Sequence, residues 1–551
     1  MADTSVVYPV IRLIAVQLPA LVVAASILYV AAICIYRVYF HPFAHIPGPF
    51  FAKLTDGYGL YHSWLKNTHL TIHRLHEEYG TIVRYGPSKI LVNDVDGMRE
   101  IYGYYANFAK GSAYEVLRFN PVHSVFNATD KKMHRRKRRL VGQGFSDSAL
   151  RASESCILEH MDNFVNAFLK SDDRSNTRTE WSTAKDISVL SSYLSLDLIT
   201  DLVFGKSTST LTKPENRQFR SLLVTTGYRM TMAFQMPSAF RAGKSGHWLD
   251  LGTWTLHNVD KLRAQWAAML RGWAMDRIQA EKTRAEASEP DRRDMMSTII
   301  NATDPDTGEK LDAAEIGAEA FTLITAGGDT TSVGISATFF YLSRSPAAYE
   351  RLVSEIRTQF RSVDDIRIGS TLSSCHYLRG CIDEAMRLSP PVCVPLYREA
   401  GLGGATVRGI FVPEGCVAAT HAYAIHHNEK YFPDAYSYRP ERWLPPSKQN
   451  GNDEISVTPD AKSAFLPFSH GPRNCAAMNM AYLNLSLSVA RLLWLADFRI
   501  PSYPGLGCIG GGDPNSKDPM RRREDEYQLY DIFASDKKGP MLEFRRRDIS
   551  I

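Results

Sequence analysis

The stretch FLPFSHGPRNCAAMNMA, residues 465–481, places a single cysteine, Cys475, between a nearby glycine and arginine and a run of small residues. None of the eight cysteines of the chain forms a C-x-x-C pair. This scatter indicates a reducing compartment with mostly free thiols, and neither a disulfide framework nor a zinc site. A lone cysteine is by default an inert buried thiol. The role of Cys475 therefore depends on its context.

The composition describes a large chain that can bury a sizeable core. Its 551 residues are 44% hydrophobic and 11% aromatic, with a formal net charge of +5. So small a charge mildly favours acidic partners but does not mark a nucleic-acid binder. The length suits about two to four average domains or one large fold.

The N-terminus is predicted to be a membrane anchor. No charged residue lies between Arg12 and Arg37, and as a helix this run exceeds the ~30 Å hydrocarbon core of a bilayer. A cleaved signal peptide is the alternative, but the run is too long and lacks a strongly charged leading region. The flanking charges, with Lys53, weakly favour a cytosolic body. The proline-rich YFHPFAHIPGPF, residues 39–50, then predicts a stiff, extended connector.

Most of the remaining sequence has a helical pattern, with short extended pieces. Residues 80–94 predict a β-hairpin, because β-branched residues alternate on both sides of a Gly-Pro pair. A long helix is expected from an N-cap at Asp312 to Ser345, where the following proline stops it.

The middle of that helix contains AGGDTT, residues 326–331. Each glycine costs about 1 kcal/mol relative to alanine, and Asp and Thr are indifferent helix formers. Close helix packing explains glycines alone. The neighbouring acid and hydroxyls favour a groove in which a freed hydroxyl binds a ligand.

Two further motifs combine an acid with arginines. Glu384 and Arg387 in EAMR are three residues apart, share a helix face and can pair, although a surface pair contributes under about 1 kcal/mol. Arg442 follows in the proline-punctuated loop YRPERW. A buried glutamate with both arginines would be a costly, specific structural clamp.

The motifs occur in one order: AGGDTT, E-x-x-R, P-E-R-W and F-x-x-G-x-R-x-C. This set resembles the cytochrome P-450 family of heme-thiolate monooxygenases, from the connector to the C-terminus. The connector and HRRKRRLVGQGFS, residues 134–146, look like membrane-bound enzymes of filamentous fungi. The resemblance implies a mainly α fold with small β-sheets behind an N-terminal transmembrane helix. We expect an anchor over residues 1–40 and one monooxygenase domain over residues 41–551.

The resemblance makes Cys475 the axial thiolate ligand of the iron of heme b. A thiolate pushes electron density onto iron and favours O–O cleavage, and N–H donors with a following helix N-terminus keep it ionised. Gly471 would allow the tight turn, Phe468 would cover the sulfur, and Arg473 would pair with a heme propionate.

Other roles follow by position in the motifs. His134 and Arg138, four residues apart, match propionate contacts, and so does Arg398 in VPLYREA. Asp329 and Thr330 match the acid–alcohol pair that manages protons during oxygen activation.

The acid–arginine motifs match a structural clamp near the cysteine loop, formed by Glu384, Arg387 and Arg442. The sequence departs from the family at Ala477 and Met478, where glycine and often arginine are usual. The added Cβ of Ala477 is expected to alter heme seating slightly, without abolishing binding.

The basic run KKMHRRKRR, residues 131–139, has two interpretations. Alone it predicts a nuclear-localisation or nucleic-acid patch. In the family it lies on a helix at the proximal side of heme, serves the propionates and attracts an acidic electron donor. We favour the second interpretation and expect no nucleic-acid partner.

The implied function is hydroxylation or related oxidation of a large apolar small molecule. NADPH would supply electrons through NADPH–cytochrome P-450 reductase, with cytochrome b5 as a further candidate partner. The endoplasmic reticulum membrane is the expected location, with the body facing the cytosol. Two alternatives remain: a reductase-independent heme-thiolate isomerase or peroxygenase, against which the intact Asp329-Thr330 pair argues, and a non-catalytic heme-binding sensor.

Substrate-lining candidates follow by analogy with the family. They are residues 108–126, 230–240, 321–325 and 392–396, and Phe533. Their apolar character suggests polyketide, terpenoid or alkaloid scaffolds of fungal secondary metabolism without choosing among them. Residues 228–240 are also expected to dip into the membrane interface.

Overall fold

Helices dominate the computed structural model, which describes residues 4–118, 122–169, 181–240, 257–287, 294–445 and 458–548. The helices, α1 to α20, are Thr4–Ile35, Phe50–Leu54, Gly57–Trp64, Thr68–Tyr79, Val95–Tyr102, Ser112–Glu115, Lys131–Gln143, Asp147–Ala152, Glu154–Leu169, Ile187–Phe204, Gln218–Gln235, His257–Glu286, Met295–Asn301, Ala313–Arg344, Pro346–Gln359, Ser370–Ser373, His376–Leu388, Ala422–His426, Pro459–Ala464 and Met478–Leu495. The expected mainly α fold is confirmed.

The strands are short and form small sheets. In chain order, β1 to β12 are Ile82–Gly86, Lys89–Val92, Phe108–Ala109, Lys185–Asp186, Arg398–Ala400, Ala405–Val407, Ile410–Val412, Val417–Ala419, Ala496–Arg499, Leu529–Ile532, Ala534–Lys537 and Met541–Arg546. The sheets have the orders β1-β2-β8-β5-β3, β4-β12-β9, β6-β7 and β10-β11. The predicted hairpin is the antiparallel β1–β2 pair.

Helix α14 contains AGGDTT and crosses the core. It follows the predicted N-cap, Asp312, whose carboxylate accepts from the Glu315 N–H while Glu315 accepts from the Asp312 N–H. It stops before Ser345 because Pro346 lacks the N–H that would continue it and instead begins α15. Helix α10 packs along α14 and supplies apolar side chains to the same core cluster. The motif is therefore held on a well-packed helix.

Within the described residues, two apolar helices are long enough to cross a membrane. Residues 17–40 extend α1 through a π-helical turn, and none of this stretch is buried against the body, as expected of an anchor. The other helix, α10, is 83% buried. Its apolar character is that of a core helix.

The connector differs from the extended spacer that its prolines predict. Hydrogen bonds from Ala44 N to His41 O and from Ile46 N to Phe43 O form successive turns. The side chains of Phe43 and Ile46 are buried in the body, and the Arg84 guanidinium donates to the Phe43 carbonyl. The turns bring both apolar side chains against the body, and their burial favours this docked conformation over an extended one.

The expected membrane contact of residues 228–240 is wrong for most of that segment. Met232, Phe234 and Phe240 are buried, so their side chains face the interior. The exposed apolar surface beside the anchor lies instead on and next to α2 and α3. It consists of Phe50, Phe51, Tyr61, Trp64 and Leu65, and we call it the aromatic rim. Aromatic side chains at this position suit a membrane–water interface.

Removal of residues 1–40 is expected to release only part of the protein from microsomes, because the aromatic rim remains. Adding Phe51→Ser and Trp64→Ser, at side chains 69% and 52% exposed, should release more. The measurement is the soluble fraction after ultracentrifugation, with thermal unfolding as a control of folding. Complete release by the truncation alone would contradict a membrane role for the rim.

Candidate functional site

A large cavity lies between α7, α11, α14 and the cysteine loop, residues 465–477. Its volume is about 2170 Å³, including its opening to solvent. Most lining side chains are apolar, with a few polar and cationic groups among them. The sequence-predicted residues that line it are His134, Arg138, Asp329, Thr330, Arg398, Phe468, Arg473 and Cys475. A concave, largely apolar cavity with convergent polar groups is typical of a cofactor or small-molecule site.

The cysteine loop passes directly under the end of α5. Gly471 has φ +73°, and a Cβ there would lie 1.8 Å from the carbonyl oxygen of Tyr102. Only glycine fits this close backbone approach. The N–H of Cys475 donates to the carbonyl of Phe468 at 2.9 Å and closes the loop. The cysteine is thereby directed into the cavity just before α20 begins.

The thiol of Cys475 has neighbours that suit a metal-bound thiolate. Burial raises its pKa above the usual value, and a hydrogen bond from the Ala477 N–H and the charge of Arg138 oppose part of this rise. The thiolate is the metal-binding form, and N–H donors at a helix start favour it. Ala477 is the N-cap of α20, and Met478 is 37% exposed.

Cationic side chains converge on the cavity without a carboxylate partner among the described residues. Lys110 donates to the Phe126 carbonyl, and Arg398 donates to the Tyr114 hydroxyl at 2.9 Å. Arg473 donates to the Ala128 carbonyl at 2.6 Å. All these acceptors are neutral, so the positive charge of this group is not offset.

Arg138 joins the cationic group to the cysteine loop. It donates to the carbonyl of Asn474 at 2.7 Å, to that side chain's Oδ1 at 2.9 Å and to the carbonyl of Cys475 at 3.2 Å. The sequence predicts Arg138 only as a propionate contact and does not indicate its hydrogen bonds to the cysteine loop. Helix α7 therefore fixes the loop as well as lining the cavity.

Burial and mutual repulsion act on the cations together. They lower the pKa of Lys110 well below its usual value and that of the adjacent His134 to about 3, so His134 is neutral near pH 7. Burial and the neighbouring Arg398 lower the pKa of Arg473 to about 10. Buried charge of one sign is expensive unless an opposite charge is bound. The cavity is thus built to take an anion.

These features fit heme b. Its propionates are anions of the kind that the cationic group lacks, the thiol of Cys475 could bind its iron, and the small residues Ala476 and Ala477 line the cavity beside that thiol. Lys110 belongs to this set, but the sequence places it only within an apolar lining stretch. A single lysine carries no spacing signal for such a role.

The glycines of AGGDTT serve packing more than an open groove. A Cβ on Gly327 would lie 2.9 Å from Ile199 of α10, and one on Gly328 would lie 2.9 Å from Leu223 of α11. Both glycines therefore let neighbouring helices approach α14 closely. The cavity wall at this point consists of Ala326, Gly327, Asp329, Thr330 and Thr331.

Thr330 lines the cavity, yet its hydroxyl keeps a backbone partner. It donates to the carbonyl of Ala326, one turn earlier, at 2.8 Å. The expected release from the backbone is absent here, because an i−4 hydrogen bond is the default for a threonine inside a helix. The hydroxyl oxygen remains an acceptor toward the cavity.

Asp329 is 4% exposed and has a partner that no motif predicts. Its Oδ1 lies 2.7 Å from Nζ of Lys537 in β11 and accepts from the hydroxyls of Ser332 at 2.8 Å and Ser192 at 3.2 Å. Burial raises the pKa of Asp329, but the Lys537 ammonium outweighs it and lowers the pKa below its usual value. The group is a fixed carboxylate, not a solvent-exposed acid.

The predicted clamp residues lie together and outside the cavity lining. Glu384 is fully buried and accepts from Arg387 Nη2 at 2.8 Å, Arg442 Nε at 3.2 Å and Trp443 Nε1 at 2.9 Å. Arg387 also donates to the carbonyls of residues 426 and 435, which joins α17 to the region after β8. Such complete pairing makes the buried charges tolerable.

The substrate-lining stretches contribute part of the apolar wall. Val125, Phe126, Met230, Thr322, Leu323, Thr325, Val392, Val394, Leu396 and Phe533 line the cavity. Sequence reasoning missed Ile199, Leu223, Thr226 and Gly227, which come from α10 and α11. These residues lie within regular helical patterns, which do not indicate which side chains face a cavity.

The basic run forms the start of α7 and divides into two groups. Arg136, Lys137 and Arg139 pair with acids of the body: Glu315, Glu319, Asp304 and Asp306. Lys131, Lys132 and Arg135 are exposed. The exposed group is the part that a partner can reach.

Comparisons with known proteins agree with this geometry. The family model "Cytochrome P450" (cytochrome P-450) matches residues 54–502. The cytochrome P-450 monooxygenase AKT7 of Alternaria alternata is 37% identical over 95% of this chain and 97% of its own length. Cytochrome P-450 monooxygenase apf7 of Gibberella fujikuroi is 35% identical over 94% and 96%. Cytochrome P-450 monooxygenase atnE of Emericella nidulans is 34% identical over 95% and 96%.

Cys475→Ser is expected to abolish the far-shifted Soret band of the reduced carbon monoxide complex. That band requires a thiolate opposite the gas, and serine cannot supply one. Absorption spectra of the purified variant, with heme content measured separately, test this. Cys508→Ser is the matched control, since Cys508 is exposed and outside the cavity lining. A variant at position 475 that kept the band would remove Cys475 from the role.

Proposed function

The chain belongs to the cytochrome P-450 family of heme monooxygenases, and from this premise we propose that it oxidises a large apolar small molecule in fungal secondary metabolism. The observation that carries the proposal is the thiol of Cys475, directed into a largely apolar cavity with uncompensated cations. The likeness to fungal monooxygenases over nearly the whole chain supports the same reaction class.

The chain's own residues would hold the cofactor and limit its orientations. When bound, heme activates molecular oxygen so that one oxygen atom enters the substrate. The thiolate of Cys475 would bind the iron, and Arg398, Arg473 and Lys110 would hold the propionates. Arg138 would hold the cysteine loop, with His134 beside it.

Proton handling would fall to α14. The Thr330 hydroxyl donates to Ala326, so its oxygen can accept a hydrogen bond from a water in the cavity. The carboxylate of Asp329, fixed in the same wall, can hold such a water and exchange a proton with it. Positioned groups of this kind contribute on the order of 10²–10⁴-fold to proton-transfer steps.

The substrate would lie against the apolar wall formed by Phe126, Met230, Val392 and Phe533. These side chains offer contact area and few hydrogen bonds, which favours a polyketide, terpenoid or alkaloid scaffold.

Electrons would come from NADPH through NADPH–cytochrome P-450 reductase, with cytochrome b5 as a further donor. The exposed Lys131, Lys132 and Arg135 lie on the helix that also holds the cysteine loop. A docked acidic protein there would be near the cofactor. The anchor over residues 1–40 would hold the domain of residues 41–551 on the cytosolic face of the endoplasmic reticulum.

The decisive experiment combines genetics with reconstitution. A deletion strain should accumulate a precursor, which is then incubated with purified protein, reductase and NADPH. The expected product is oxidised and requires all three components. Turnover supported by peroxide alone, or a redox-neutral isomer formed without NADPH, would contradict the proposal and favour the reductase-independent alternatives.

Thr330→Ala is expected to keep the heme spectrum and NADPH consumption while diverting electrons to hydrogen peroxide. Loss of the hydroxyl removes the acceptor that positions water for proton delivery. Asp329→Asn should slow oxygen activation more than it uncouples it. Product, peroxide and NADPH oxidation are measured together, and Thr330→Ser is the matched control. Wild-type coupling in Thr330→Ala with two substrates, one lacking hydroxyls, would count against the role.

Charge reversal of Lys131, Lys132 and Arg135 to Glu is expected to slow reduction by the reductase, and more so at low salt. Exposed charges act over about 10 Å at 0.1 M ionic strength and less at higher salt. Stopped-flow reduction across a salt series tests this. The same reversal at Lys213 and Lys310, exposed outside α7, is the control. A defect independent of salt would indicate misfolding instead.

A further inference from the structure

The C-terminal hairpin β10–β11 contains a buried lysine that the reaction scheme does not yet use. Lys537 is 1% exposed at the end of β11, and its Nζ lies 2.7 Å from Oδ1 of Asp329. It also donates to the hydroxyls of Ser332 and Ser192. Three segments, β11, α14 and α10, therefore meet at one ion pair.

Among the described residues, the hydrogen-bond donors to the Asp329 side chain act on one carboxylate oxygen. Lys537, Ser332 and Ser192 donate to Oδ1. Since Asp329 lines the cavity, Oδ2 is the oxygen left for groups inside it. The ion pair therefore sets both the orientation of the carboxylate and the atom that it presents.

The hairpin does not depend on this charge for its docking. The N–H of Ser535 donates to the Pro391 carbonyl at 2.9 Å, and its hydroxyl donates to the Pro390 carbonyl at 3.1 Å. Asp536 forms an ion pair with Arg220 of α11 at 3.6 Å. Replacing both members of a buried ion pair by neutral groups is often nearly neutral for stability, whereas removal of Lys537 alone leaves the buried Asp329 carboxylate without its counter-charge.

We propose that Lys537 is a positioning residue for proton delivery: its ammonium fixes Asp329 with Oδ2 toward the cavity, where that oxygen holds water beside Thr330. The inference rests on the proposed function and adds a residue to it. Without Lys537 the buried carboxylate would lose its counter-charge, and burial would favour its protonated, reoriented form.

The test compares Lys537→Met, Lys537→Arg and the control Lys538→Met, whose side chain is the exposed neighbour. Each purified, heme-loaded variant is assayed for product per NADPH, for peroxide and for substrate affinity from the absorbance change on binding. Lys537→Met should keep substrate affinity within about twofold but lose roughly 10-fold or more of product per NADPH, within the range of positioned proton-transfer groups. Lys537→Arg should restore part of it, and Lys538→Met should match wild type.

If Lys537→Met alone does not fold, a second comparison still tests the proposal. The double variant Lys537→Met/Asp329→Asn removes both charges together and is compared with Asp329→Asn alone. If Lys537 acts through Asp329, the two should have equal coupling. A further loss in the double variant would overturn the proposal.

Two other results would overturn it as well. One is wild-type product per NADPH in folded Lys537→Met; the other is a loss confined to substrate affinity, which indicates a structural role of the hairpin. Failure of the proposed function is recognised separately, because wild type and Lys538→Met would then also form no oxidised product.

Discussion

An unbalanced cluster of buried positive charge is the constraint around which the site is organised. Lys110, Arg398 and Arg473 donate to neutral groups, and burial together with neighbouring positive charges lowers the pKa values of Lys110 and Arg473. Such a cluster destabilises the protein without its cofactor, and binding of an anionic cofactor offsets that cost. Anything that binds only the folded state stabilises it. Cofactor binding is therefore expected to stabilise the folded protein. Because Arg138 also donates to the cysteine loop, the same binding should stabilise that loop.

The sequence predicts those features that depend on residue types unusual for an ordinary helix, strand or loop. Gly471 is required by one backbone contact, Asp312 and Pro346 mark the ends of α14, and the ordered motifs are sufficient to indicate the family. Each of these signals lies within a few residues, or in the order of short motifs. The fold class, the β1–β2 hairpin and the identity of the cysteine motif follow from them.

Contacts between distant segments are what the sequence could not supply. Lys537 and Asp329 are 208 residues apart, and the local pattern of β11 gives no sign that the two side chains pair. Lys110 similarly gains its meaning only beside arginines from three other segments. The predictions for the connector and for residues 228–240 fail because both were made from the composition of the segment alone. Packing against the body determines the conformation of the connector and buries most of residues 228–240.

The hairpin β10–β11 limits how this cavity can diversify. Phe533, at the tip between the paired Ile532 and Ala534, lines the cavity, and Lys537 lies four residues further at the ion pair. Because side chains alternate along a strand, inserting or deleting one residue between these positions would turn Lys537 to the opposite face. Replacement of the tip side chain would therefore change the shape of the cavity wall and leave the ion pair in place. A change of hairpin length would keep Lys537 facing Asp329 only if it added or removed an even number of residues.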